Sequence, residues 1–340
     1  MSRFSRIAGA ALAASVLALS SGARAQSVAD FYRNRLITVV VGSESSGDYD
    51  VWMRVIIRYM GKYIPGNPSF VVQNMPGAGG IRATNYMNNV APKDGSAIAM
   101  TSRNTAFKAF AGEPGIQFDP RKFNWLGSPE VASRVCVVSG SSPAKSIADI
   151  FEKEVIMAGA GAGTALSTVP PMLNRLFGAK FKLVEGYSSA TAAKLAIDRG
   201  EVHGLCQSLS QITRAYMQDV QAGRLKILFS MEPTSPPVFP DVPSIHAYAK
   251  TDQLRAVLNL FSMGTRMGRP IHAPANTPAD RVAALREGFR LAMADPELRT
   301  EAVRTGLEPN YVSGEAIAGM VDELFRTPQE IRDLAGQIGD

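Results

Sequence analysis

Leu36-Ile37-Thr38-Val39-Val40-Val41 runs directly into Gly42-Ser43-Glu44-Ser45-Ser46-Gly47-Asp48-Tyr49. The first six residues are apolar and mostly β-branched, the composition of a strand buried on both faces. The next eight are small or polar and read as a loop. Beyond them Trp52, Val55, Ile56, Tyr59, Met60 and Tyr63 recur at helical spacing, with Asp50 placed to cap that helix. Pro65-Gly66-Asn67-Pro68 stops it. The same strand–loop–helix unit then repeats. Residues 69–73 form a second strand, Asn74-Met75-Pro76-Gly77-Ala78-Gly79-Gly80 its loop, and a helix follows to about Val90. Residues 97–100 form a third strand that leads into Thr101-Ser102-Arg103-Asn104. Alternation of this kind predicts a parallel sheet with right-handed crossovers.

Around residues 123–129 the pattern breaks and a second series begins. Ser146 and Asp149 form a capping-box pair before a short helix. Strands are expected at 155–158, 180–184, 202–206 and 225–229. Between them lie the loops Gly159-Ala160-Gly161-Ala162-Gly163-Thr164, Gly186-Tyr187-Ser188-Ser189 and Gln207-Ser208, each opening a helix. The C-terminal part is helical. Its stripes, such as Ile317, Met320, Val321, Leu324 and Phe325, are core faces. The class is therefore α/β with two series of units.

The N-terminus reads as an export signal. Arg3 and Arg6 precede an apolar run at 7–19, and Ala23-Arg24-Ala25 offers the small-x-small pattern of a cleavage site. Residues 1–25 are thus expected to leave, which places the mature chain of about 315 residues in the periplasm. That length suffices for two lobes with separate cores. The chain is 46% hydrophobic and 19% charged, as a globular protein is. Its +6 charge falls to about +3 without Arg3, Arg6 and Arg24, too little and too dispersed for a nucleic-acid partner. The two cysteines, Cys136 and Cys206, lie in strand-like segments, where free buried thiols are expected ahead of a bridge. His203, His246 and His272 have no metal-ligand spacing.

In a parallel α/β sheet ligands bind outside the carboxyl ends of the strands, where helix N-termini favour anions. The Gly-, Ala-, Ser- and Thr-rich loops are therefore the candidate site, and two matching series suggest a cleft. The loop at 159–164 fails the dinucleotide fingerprint because Thr164 stands where the third glycine belongs. No G-x-S-x-G or H-E-x-x-H occurs, and no serine has an evident base, so no catalytic residue, metal or cofactor is expected.

These motifs resemble the solute-binding receptors of tripartite tricarboxylate transporters, the Bug family. Val71-Val72-Gln73-Asn74-Met75-Pro76-Gly77-Ala78-Gly79-Gly80 is similar to that family's V-V-x-N-x-P-G-A-G-G loop. Ala91-Pro92-Lys93-Asp94-Gly95, Asp241-Val242-Pro243-Ser244 and Ala273-Pro274-Ala275-Asn276-Thr277-Pro278 resemble further family segments, in the family's order. The resemblance implies a type II periplasmic-binding fold, with two α/β lobes, a ligand cleft and two interlobe crossovers. Lobe I would take residues 26–130 and 256–340, and lobe II residues 131–255. It implies a non-enzymatic monomer that captures a small organic carboxylate for integral-membrane permease subunits; a sensory adaptor is the alternative, and an exported hydrolase a weaker one. By motif position the ligand-binding residues would be Ser45, Ser46, Gly47, Asp50, Gly77, Ala78, Gly79, Thr101, Gly161, Ala162, Gly163, Thr164, Ser188, Ser189 and Gln207. Two features depart from the family. The first loop carries Glu44 and Asp48, which would repel an anion if they faced the cleft, and Arg103 would then compensate them or bind the ligand itself. The connection at 262–272, with Arg266 and Arg269, is longer than usual.

Overall fold

The computed structural model describes residues 26–45, 47–161 and 164–339, with side chains through 334. The expected signal segment lies outside the described residues, as do Ser46, Ala162 and Gly163.

Two sheets carry the fold. The first has the order β11-β4-β10-β3-β1-β2, built from β1 (Leu36–Val41), β2 (Ser69–Asn74), β3 (Ala97–Met100), β4 (Asn124–Ser128), β10 (Ile271–Ala273) and β11 (Val312–Ser313). The second has the order β7-β6-β8-β5-β9, from β5 (Arg134–Ser139), β6 (Val155–Ala158), β7 (Phe181–Val184), β8 (Gly204–Ser208) and β9 (Leu225–Ser230). In both, the first βαβ strand lies between the second and third; β1 is parallel to both neighbours, as predicted, with Val39 opposite Val72 on one side and Ile98 on the other.

The sheets are not wholly parallel. The short β10 runs antiparallel between β3 and β4, and β5 runs antiparallel between β8 and β9. Each is the strand that arrives from the other lobe, so it enters its sheet from the opposite end. The segment around Cys136 does read as a strand, but periodicity within one unit cannot reveal its direction in the sheet.

Helix α2 (Asp48–Met60) buries Trp52, Met53, Val55, Ile56 and Met60 against the first sheet. Each such side chain contributes about 1.5–3 kcal/mol by leaving water. A single helical turn at Gly61–Tyr63 prolongs it to the predicted stop. The connection expected between the lobes is largely a helix, α9 (Asp252–Met267), capped by Thr251, whose hydroxyl accepts from Leu254 N. Leu258 packs in the second lobe's core, and Met263 and Met267 pack in the first lobe's. The two crossings touch where Ala132 N–H donates to Thr265 O at 2.9 Å.

Cys136 and Cys206 are joined, correcting the expectation of free thiols. They sit directly opposite each other on β5 and β8, with Cα atoms 4.0 Å apart. Antiparallel register, invisible in the sequence, brings them together.

Candidate functional site

The tips of the first sheet are held by polar contacts from the strands. Asp50 is buried, but it does not cap α2, as its position had suggested. Gly47 occupies the cap position in an extended conformation, and Asp50 lies in the first turn. Its carboxylate accepts from Asn74 Nδ2 at 2.9 Å and from Arg54 Nε at 2.8 Å. Asn74 Nδ2 also donates to Ser43 O at 3.1 Å, so the end of β2 fastens the loop after β1. Ser45 is exposed at that loop's crest.

Gly77, Ala78, Gly79 and Gly80 all have positive φ, from 48° to 130°. A side chain at Gly80 would approach Ser102 Cβ to 3.1 Å, so close packing of this loop on the next one requires glycine. Thr101 is buried with its Oγ1 3.3 Å from His272 Nε2. The His272 ring stacks on Phe123 at 4.4 Å between centroids. Burial pushes its pKa down to about 4, so it is a neutral core residue.

The acids flagged in the first loop differ in role. Glu44 is exposed. Asp48 pairs with Arg269 at 2.7 Å, and Arg269 also pairs with Glu130. Glu130 in turn accepts from Trp52 Nε1 at 2.6 Å. Arg269, from the connection that follows α9, therefore supplies the compensation expected of Arg103.

The second sheet arranges its tips around caps. Thr164 caps α5 (Ala165–Phe177), and its Oγ1 donates to Gly161 O at 2.9 Å. Ser189 caps α6 (Ala190–Asp198), accepting from Ala192 N. Ser188 beside it is exposed, and Gln207 Oε1 accepts from Ser208 N at 2.8 Å. Glu185, just past β7, lays its carboxylate over Gly159. Its Oε2 accepts from Gly161 N and from Ser167 Oγ, each at 3.0 Å. A Cβ on Gly159 would lie 2.5 Å from that oxygen.

A cavity of about 270 Å³ lies between the lobes, lined by Arg103 and Phe107 from the first, Arg134 from the second, and Phe261, Gly264 and Thr265 of α9. Neither guanidinium has an ion pair or a side-chain hydrogen bond among the described residues, and Arg103 Nη1 is buried without a partner. Burial, and then the neighbouring charge of Arg103, hold Arg134 below the ordinary arginine range, while Glu232 acts in the opposite direction. Glu232 is itself buried, which raises its pKa, and its Oε1 accepts from Thr265 Oγ1 at 2.8 Å.

Of the sequence-predicted residues, Arg103 lines this cavity, Asp50 fastens the first loop, and Thr164 and Ser189 are caps. Arg134 and Glu185 escaped the sequence reading. Each left a trace there: Arg134 is a charge at the head of an apolar strand, and Glu185 an acid between a strand and the glycine of a loop.

The sequence profile of the tripartite tricarboxylate transporter family receptor (TctC) matches residues 54–334. The chain belongs to that family. Over 346 aligned positions it is 26% identical to the UPF0065 protein in the gbd 5' region of Cupriavidus necator, covering 99% of this chain and 98% of that one. The fold of this TctC receptor is similar to a ligand-free TctC solute-binding protein from Polaromonas, with a TM-score of 0.70 at 18% identity, over 89% of this chain and 99% of that one. It is also similar to Rpa4515 of R. palustris, solved with adipate, with a TM-score of 0.56 at 18% identity, over 89% and 97% of the two chains. Among the described residues of this receptor, no helix is long and apolar enough to cross a membrane.

Proposed function

We propose that this TctC receptor is exported to the periplasm, captures a small organic carboxylate in the interlobe cavity, and presents it as a monomer to integral-membrane permease subunits. It performs no chemistry of its own. The lobes it would use are residues 26–130 with 256–340, and residues 131–255; the boundary at 255 falls inside α9. The observation that carries this reading is the arginine pair. Arg103 and Arg134 come from different lobes, line one cavity and form no ion pair among the described residues; the buried Glu232 acts on Arg134 only from a distance. A carboxylate bridging two guanidiniums gains charge-assisted hydrogen bonds from both. It gains them together only when the lobes are close, so the ligand favours the closed state. The adipate in the similar R. palustris protein agrees with a ligand of this class.

The test is calorimetric titration with mono-, di- and tricarboxylates against the wild type and Arg134→Met. Loss of one charge-assisted interaction should weaken binding by about 1.5–3 kcal/mol, roughly ten- to a hundredfold. Binding of no carboxylate, or unchanged affinity in Arg134→Met, overturns the proposal.

A further inference from the structure

Glu185 changes what the Gly-rich loop of the second lobe can accept. Backbone N–H groups before a helix attract an anion. Here one of them, Gly161 N–H, already donates to the Glu185 carboxylate, as does the hydroxyl of Ser167. Ser167 Oγ is itself fixed by Ala160 N–H at 3.0 Å. Gly159 has no side chain at the point where this carboxylate rests. The loop is thus built around an acid that the chain supplies.

That acid is not neutralised. Glu185 has no ion pair among the described residues, and neither has the exposed Glu44 on the first lobe's tip. Arg103 and Arg134 line the cavity together with apolar residues, Phe107, Leu260 and Phe261, while Glu185 stands outside that lining, at the end of β7 on the side of the sheet that also carries Arg134. The strand order β7-β6-β8-β5 separates the tip bearing Glu185 from the tip bearing Arg134 by three strand spacings, roughly 14 Å. The two ends of a ligand meet opposite charges at separate places.

We infer that this receptor selects a carboxylate whose far end is cationic or a neutral hydrogen-bond donor, with Glu185 as the specificity-determining residue that rejects a second carboxylate. The inference rests on the carboxylate-receptor reading above. It assigns the arginine pair to the ligand's anionic end and Glu185, through Oε1, which has no hydrogen bond among the described residues, to the other.

The experiment measures dissociation constants for length-matched pairs: glutarate against δ-aminovalerate, and adipate against ε-aminocaproate. Wild type should bind the amino member of a pair about tenfold more tightly, which corresponds to one modest charge interaction. Glu185→Gln keeps the shape and removes the charge, and should bring the ratio near one or reverse it. Glu185→Ala serves as a second variant, with equal melting temperatures as the folding control. Equal or better binding of the dicarboxylates by wild type overturns the inference and leaves the receptor reading standing. A ratio unchanged in both variants does the same. Failure of every carboxylate to bind any of the proteins removes the receptor reading, and this inference with it.

Discussion

The two sheets share a strand order and secure their tips by different means. In the first, acids are matched by guanidiniums: Asp50 by Arg54, and Asp48 and Glu130 by Arg269. In the second, β5 and β8 are bridged covalently, and the acid at the tip, Glu185, is held by a backbone amide and a hydroxyl. At the cavity each lobe presents an arginine without an ion pair among the described residues, Arg103 on one side and Arg134 on the other. Topology decides where strand ends lie. The local choice of partners decides what charge remains there for a ligand.

The comparison can be broken most severely at the bridge. Replacing Cys136 and Cys206 by serine opens a link across a sequence separation of 70 residues, and the chain-entropy model gives about 4 kcal/mol of lost stability. Urea titration followed by circular dichroism measures it. Both tryptophans, Trp52 and Trp125, belong to the first sheet's lobe, so their fluorescence reports that lobe alone. An unchanged midpoint would mean that the bridge does not constrain the unfolded chain.

The counterpart in the first lobe is Glu130→Ala. It deprives Arg269, only 12% exposed, of one carboxylate and leaves the Trp52 indole N–H without its acceptor. Removing one partner of such a pair costs about 3 kcal/mol. Glu130→Gln retains an acceptor for Trp52 and should lose less. Equal midpoints for both variants and wild type would show the pair to be idle.

A smaller effect is read by pH. The folded-state pKa of His272 lies below its unfolded value, so its contribution is fully present above about pH 6.5 and declines toward pH 4. At about pH 5.5 the loss relative to neutral pH is roughly 1 kcal/mol. The lowered pKa of His246 in the second lobe acts in the same direction. The raised pKa of Glu232 acts oppositely, its contribution being present at low pH and lost as pH rises. His272→Leu should therefore flatten the curve between about pH 6.5 and 4. An equally steep curve in that variant would show that His272 is not the titrating group.

Much of the fold was legible because strand and helix periods are local. The run from Leu36 to Val41 and the helix after it stand in the structure where the pattern placed them, while β2 extends through Asn74 and β8 lies at Gly204–Ser208, taking in Gln207 and Ser208 that had read as a loop. The antiparallel β10 and β5, the α9 rod and the Cys136–Cys206 bridge were not legible, because each depends on which distant segments become neighbours. The candidate site divides in the same way. Loops at strand ends follow from topology. Whether Asp48 meets Arg269 depends on a contact across 221 residues, and whether Arg103 Nη1 is left without a partner among the described residues depends equally on which distant segments surround it.

The α9 rod has a mechanical consequence. Leu258 is wedged into one hydrophobic interior and Met263 and Met267 into the other, so the rod cannot slide or bend without disturbing both. Any opening and shutting of the jaws must then pivot around a stiff axle, with the give confined to the slender strap at 129–133. Stiffening that strap with proline should slow the gating of the receptor without touching a single group that meets its cargo.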